Sequence, residues 1–300
     1  MPPLLPLMTG ATVTDIRRVG SQTDILGESP VWDAKEQALY WVDIRGLLIR
    51  RYDSRTAEIS AWPVPEMAGS LAVRKEGGLL LALKSGIAFF DPGTGGIERV
   101  AAPEAGRPDH RFNDGKCDPR VRFWAGTMND VTRAPEGRLY RFDGAACVPF
   151  ESGITIPNSL CWSRDARTMY FADSLKRTIF AYDYDLDRGE PGNKRVFTTI
   201  AEPGIPDGST VDAEDCIWCA EYGGWKVTRF APDGRRLRSI DLPVKQPTSC
   251  MFGGPDLDVL YVTTASQRLS AEERAKQPLA GALLAMDVGA RGLPEARFAG

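Results

Sequence analysis

Four oxygen-bearing side chains recur at one position of a repeated pattern: Glu28, Asn113, Asn158 and Asp207. Each opens a short segment (ESPVW, NDGKC, NSLCW, DGSTV) that precedes an apolar strand of the LYWVDI kind by ten to twelve residues. If the repeats surround one axis, equivalent positions form a ring, and these four distant residues meet at one point. Two carboxylates and two amides repel each other there without a cation, and a buried carboxylate is costly unless paired. An all-oxygen set favours Ca²⁺, Mg²⁺ or Mn²⁺ on hardness, while Zn²⁺ and Fe²⁺ also accept carboxylates. With three or four protein oxygens, one divalent ion would keep open positions for water and substrate, as catalytic sites do. The alternative is that Asn and Asp open these strands as turn formers. Their common register and Glu28, a poor turn residue, weigh against it.

The neighbours of this ring suggest further roles. Arg111 in RFNDGK shares a strand face with Asn113 and has a fork of donors suited to polar substrate oxygens. Its alternative is a surface ion pair with Asp109 or Asp114. Asp114 and Lys116 read equally well as an internal supporting pair or as functional groups. His110 is the only histidine, so a His-rich zinc site is impossible. With no GxSxG elbow, a triad is unsupported as well; His110 reads as a non-catalytic loop residue. Tyr222 and Trp225 in EYGGW could present rings to a sugar or simply pack. Trp32, Trp41, Trp124, Trp162 and Trp218 read as packing between repeats.

The elements that must position these groups follow from the repeat. The six apolar strands begin at Leu39, Leu79, Phe123, Met169, Ile217 and Leu260, and the remaining two opening segments begin at Gly69 and Thr248. Short strands at this period indicate an all-β, six-bladed β-propeller, one repeat per blade. A ring cannot be cut without opening it, so residues 1–300 are expected to form one domain, with 1–11 a disordered lead-in. Turns such as Pro232-Asp233-Gly234 support antiparallel blades. A strand near 12–19, or one near 296–298, is expected to close the ring, because an unpaired edge invites aggregation. Ser270 and Glu273 form a capping-box pattern, so a short helix is expected inside the sixth repeat before Pro278.

Composition narrows the function. The formal net charge of −3 argues against a nucleic-acid or anionic-membrane partner. No apolar run approaches the ~18 residues that span a bilayer. Six cysteines show no disulfide framework, and Cys216 and Cys219 flank a strand on opposite faces, so they read as buried thiols of a cytoplasmic protein.

LGESPVW, RFNDGK with FWAGTM, PNSLCWS with MYFADS, PDGSTVDAEDCIW and TSCMFGGPDLDVLYVTTA together resemble the senescence marker protein / regucalcin / gluconolactonase family, from about residue 25 to the C-terminus. The resemblance implies a six-bladed propeller that hydrolyses sugar lactones with one divalent cation: a carboxylic ester hydrolase acting on an aldonolactone. It implies metal ligands at Glu28, Asn158 and Asp207 and substrate contacts at Arg111 and Asn113. After GTM, where the family often carries groups reaching the sugar, stand Asn129, Asp130 and Val131; Asp130 is taken as the substrate contact. Asp207 is the candidate general base. The rivals are a calcium-binding regulatory protein and a phosphotriesterase-like hydrolase. The expected assembly is a monomer or weak homodimer.

Overall fold

The computed structural model describes residues 15–300. The expected lead-in, and the start of the expected strand at 12–19, lie outside these residues. Six four-stranded antiparallel sheets are present, and they form the six expected blades. Blade 1 holds Gly27–Asp33, Ala38–Asp43, Leu48–Asp53 and Ile59–Pro63. The first strands of blades 2 to 6 are Ala68–Val73, His110–Cys117, Pro157–Trp162, Ile205–Val211 and Pro247–Gly253. Each contacts the next around the ring, and the sixth contacts the first. These inner strands therefore line a central channel, and all start at the same end of it.

The sixth blade is completed by Ile16–Val19, which pairs with Leu283–Asp287. Of the two closing strands expected, the N-terminal one thus does the work. The capping box forms as expected: Ser270 Oγ accepts from Glu273 N, and the helix Ala271–Ala275 follows inside the sixth blade.

Packing lies between blades. Six apolar clusters each join one blade to the next. Trp41, Trp124 and Trp218 are fully buried in them, and Trp32 and Trp162 nearly so. Buried aspartates hold three of the indoles: Asp24 accepts from Trp41 Nε1 at 2.8 Å, Asp212 from Trp218 Nε1 at 2.8 Å and Asp118 from Trp124 Nε1 at 3.3 Å.

The C-terminal tail crosses the far end of the channel. Gly292 N donates to Leu257 O, Ala213 N to Arg291 O, and Phe298 N to Val73 O. Lys116 pairs with Glu295 at 3.3 Å, and Arg297 pairs with Asp33. Residues 293–296 also wall a cavity of about 350 Å³ with Trp162, Ser163 and Arg164. The tail therefore touches every blade.

Candidate active site

Each inner strand slips register against its partner near its start, between Glu28 and Val31, Phe112 and Gly115, Asn158 and Cys161, Pro206 and Ser209, and likewise in blades 2 and 6. A bulge re-aims the side chains beside it. Ser29 and Ser159, just after Glu28 and Asn158, take left-handed backbone with φ of 50° and 57°. After Asp207 the adjacent blade presses close. A Cβ on Gly208 would lie 2.0 Å from Ser249 Oγ, so the DGS segment needs its glycine. The result is one cavity of about 180 Å³ lined by Glu28, Arg111, Asn113, Asn158, Asp207 and Tyr222, among others.

A hydrogen-bond chain fixes the amides across blades 3, 4 and 5. Arg111 Nη1 donates to Asn113 Oδ1 at 2.7 Å, and Asn113 Nδ2 donates to Asn158 Oδ1 at 3.0 Å. Asn158 Nδ2 donates to Ser174 Oγ at 2.8 Å, which donates to Pro206 O at 2.7 Å. Asn158 Oδ1 retains a second lone pair. Asp207 Oδ1 is buried with no hydrogen-bond partner. Burial first, then repulsion from Glu28 and Asp114, holds the Asp207 carboxyl well above the usual range. Glu28 is raised in the same way, by burial and then Asp114; Ser29 N, Arg111 and a shared hydrogen bond with Asp207 only partly offset this. Two buried carboxyl groups that resist ionisation, an orphaned carboxylate oxygen and an adjacent amide oxygen make a hard-cation donor set. The residues fit a divalent ion.

Several expectations need correction. Arg111 is not at the surface, where the alternative ion pair would put it: it is 3% exposed. Its Nε bonds neither Asp109 nor Asp114 but Asp130, at 2.8 Å. Asp130 does not line the cavity. Its carboxylate faces three guanidinium groups, those of Arg111, of Arg45 at 2.7 Å and of Arg133 at 3.3 Å. Asn129 is spent locally: its Oδ1 accepts from Val131 N and Thr132 N, and its Nδ2 donates to Glu136. His110 lies in a strand, not a loop, buried between Glu104 and Glu136 at 3.3 Å each. Lys116 pairs with Glu295 instead of Asp114, whose Oδ2 accepts from Leu160 N. Of the EYGGW rings, Tyr222 lines the cavity and Trp225 does not.

The motif reading did not single out Arg133, Ser174, Gln267 and Arg268, which also line the cavity. They sit where second strands of blades end, the end of the channel at which first strands begin. The repeat register carries that information, since antiparallel neighbours bring those two points together. The Arg133 guanidinium is pushed down to about 10, by partial burial first and then by Arg111; Asp130 opposes this, and Arg268 and Arg45 add to it.

The family described as SMP-30/Gluconolactonase/LRE-like region matches residues 26–266. The chain belongs to this family. It is 38% identical to a 6-deoxy-6-sulfogluconolactonase of Pseudomonas putida, over 95% of this chain and 99% of that protein. It is likewise 38% identical to regucalcin of Gallus gallus, over 95% and 98% of the two chains. Among solved structures, the calcium-binding protein regucalcin of Agrobacterium tumefaciens str. C58 superposes with a TM-score of 0.92 at 28% identity, covering 95% of this chain and 97% of that one. The fold and the length of the chain are thus shared with that regucalcin.

Proposed function

We propose that this protein is a metal-dependent sugar lactonase, hydrolysing an aldonolactone to the aldonic acid. The observation that carries the reading is the unpartnered, buried Asp207 Oδ1 in one cavity with Glu28, Asn158, Arg111 and Asn113. The names of the relatives support it. Glu28, Asn158 and Asp207 would hold one divalent cation, whose identity among Ca²⁺, Zn²⁺, Mg²⁺, Mn²⁺ and Fe²⁺ is set by experiment. When bound, such an ion supplies Lewis acidity toward a carbonyl oxygen.

The chain's own residues do the rest. Asn113 is locked by Arg111, Pro157 O and Asn158 Oδ1, so it offers the ring hydroxyls the remaining lone pair of its Oδ1. Arg111 Nη1 is engaged with Phe112 O and Asn113, and Nε with Asp130, which leaves Nη2 as the donor for substrate. Such positioning raises rate by removing orientational freedom before reaction. The Asp207 carboxylate oxygen that does not face the cation would take a proton from the attacking water as the water oxygen bonds to the carbonyl carbon. The ring C–O bond then breaks, and the departing ring oxygen receives the proton that Asp207 took from the water, which restores the carboxylate.

A monomer or weak homodimer belongs to this reading. A cytoplasmic setting belongs to the same reading, on the six free thiols; no helix of the described residues is long and apolar enough to cross a membrane. A pH-indicator assay of pentono- and hexonolactones, with and without chelator, tests the proposal. Acid release that stops on chelation and returns with a divalent ion is the expected result. Tight Ca²⁺ binding without hydrolysis of any lactone would instead assign an ion-binding role.

A further inference from the structure

The cavity holds more positive charge than the hydrolysis of a neutral sugar lactone uses. Arg133 comes from the loop after Asn129 in blade 3, and Arg268 from the loop after Thr264 in blade 6. These blades face each other across the ring. Both arginines line the same cavity, close enough that Arg268 works against the charge on Arg133. Arg45 and Arg111 stand beside them. One carboxylate, Asp130, answers Arg45, Arg111 and Arg133 together, at 2.7, 2.8 and 3.3 Å. Arg268 is exposed and has no ion pair among the described residues.

The other acidic groups nearby are spent elsewhere. Glu136 is turned to His110 and Asn129, and Glu104 to His110, Arg107 and Tyr140. Asp114 lies below, bonded to Leu160 N. Glu28 and Asp207 sit at the floor, where a divalent cation would match their charge. The mouth is therefore left with a surplus of guanidinium. Like charges brought together from opposite blades repel, and an anion between them removes that repulsion.

We infer that the preferred lactone carries a fixed anionic group at the end of its carbon chain remote from the ring carbonyl, and that Arg133 and Arg268 grip it. The inference rests on the lactonase reading. Depth sets the polarity of binding. Glu28 and Asp207 are 7% and 6% exposed, so the carbonyl goes to the floor; Arg268 stands at the open end, so the anion stays at the mouth. Sulfonate, phosphate and carboxylate share the required chemistry, since each accepts paired N–H bonds from a guanidinium.

The test uses four six-carbon δ-lactones that differ only at C6: hydroxyl, carboxylate, phosphate and sulfonate. The full chain with its divalent ion should open at least one anionic lactone with kcat/KM about 10- to 100-fold above the neutral one, the range of a charge-assisted bond. That ratio should fall about tenfold in Arg268→Gln and in Arg133→Gln, and should shrink as salt is raised. Arg268→Glu should reverse the preference. Arg268 has no partner to lose, so its variants should fold and melt like the parent, and that arm decides the matter should Arg133→Gln fold poorly. Equal or better hydrolysis of the neutral lactone overturns the inference and leaves the lactonase reading standing. So does an anionic preference that Arg268→Gln and Arg268→Glu leave unmoved. Failure to open any of the four, or any other sugar lactone, removes the lactonase reading itself, and this inference with it.

Discussion

Asp207 is where the chemistry concentrates, because its Oδ1 is buried and unpartnered. Asp207→Asn keeps the shape but removes the charge and the basic oxygen, so lactone hydrolysis should fall by about 10²-fold or more in a kcat assay, the usual scale for a general base. Arg111→Ala should also lose activity, but it should cost stability as well. The guanidinium is buried against Asp130, and breaking a buried pair costs about 3–5 kcal/mol when the partner is left alone. Arg45 and Arg133 still hold Asp130, so thermal melting should report the lower part of that range or less. The pH dependence of the metal-free protein has a definite sign. Glu28 and Asp207 bind protons more tightly folded than unfolded. Their contribution is therefore full below the ordinary carboxylate range, about pH 4, and is lost as pH rises through neutrality. Tm of chelated protein should fall between about pH 5 and 8, and a divalent ion should restore it by binding the native state. A chelated Tm that rises over that interval would contradict the assignment. Glu28, Asn158 and Asp207 were legible in the sequence because they hold the same register place in different repeats. The burial of Arg111 was not. It depends on Asp130, in the turn after the neighbouring strand, and on Arg45 from blade 1, which no local spacing reveals.

At the scale of elements, the blades are held to their neighbours by apolar clusters, and the buried Asp–Trp bonds brace them. Asp212 is fully buried and accepts from Trp218 Nε1, Arg229 Nε, Glu214 N and Cys216 N at 2.8 to 2.9 Å. Asp212→Ala would orphan all four donors. The expected loss is about 3–5 kcal/mol, or roughly 5–10 °C in Tm for a chain of this size. Asp212→Asn keeps one acceptor oxygen and should lose less. A melting curve of Asp212→Ala within a degree of the parent would mean that the indole bond contributes nothing. The second strands, from Leu39 to Leu260, were visible as apolar runs, and so was the capping box at Ser270. The tryptophans were read correctly as packing. Two of their aspartate partners, Asp118 and Asp212, stand the same 6 residues before Trp124 and Trp218, a spacing the sequence carries, whereas Asp24 lies 17 residues from Trp41 and was hidden.

For the molecule as a whole, closure matters most. Ile16–Val19 completes the sixth blade, and the tail from Arg291 bridges the far end of the channel. Phe298 is fully buried between Phe89 and Phe142. Phe298→Ala should cost about 3–5 kcal/mol, yet leave kcat of the folded protein within about twofold, because it lies at the opposite end from the cavity. Equal losses in melting temperature and kcat would show that the two ends are coupled. A closing strand was expected from the repeat. The tail's path was not, because its partners, Val73, Lys116 and Asp33, are scattered across the chain.

Ring closure also fixes an order of events during synthesis. Ile16–Val19 leaves the ribosome long before its partner Leu283–Asp287. At about 5–20 residues per second the early strand waits on the order of tens of seconds with its edge unpaired. During that wait it can meet the same segment of another nascent chain. The charge at Arg17 and Arg18 guards that edge, so neutralising both should lower the soluble yield on expression more than it lowers the melting temperature of the protein that does fold.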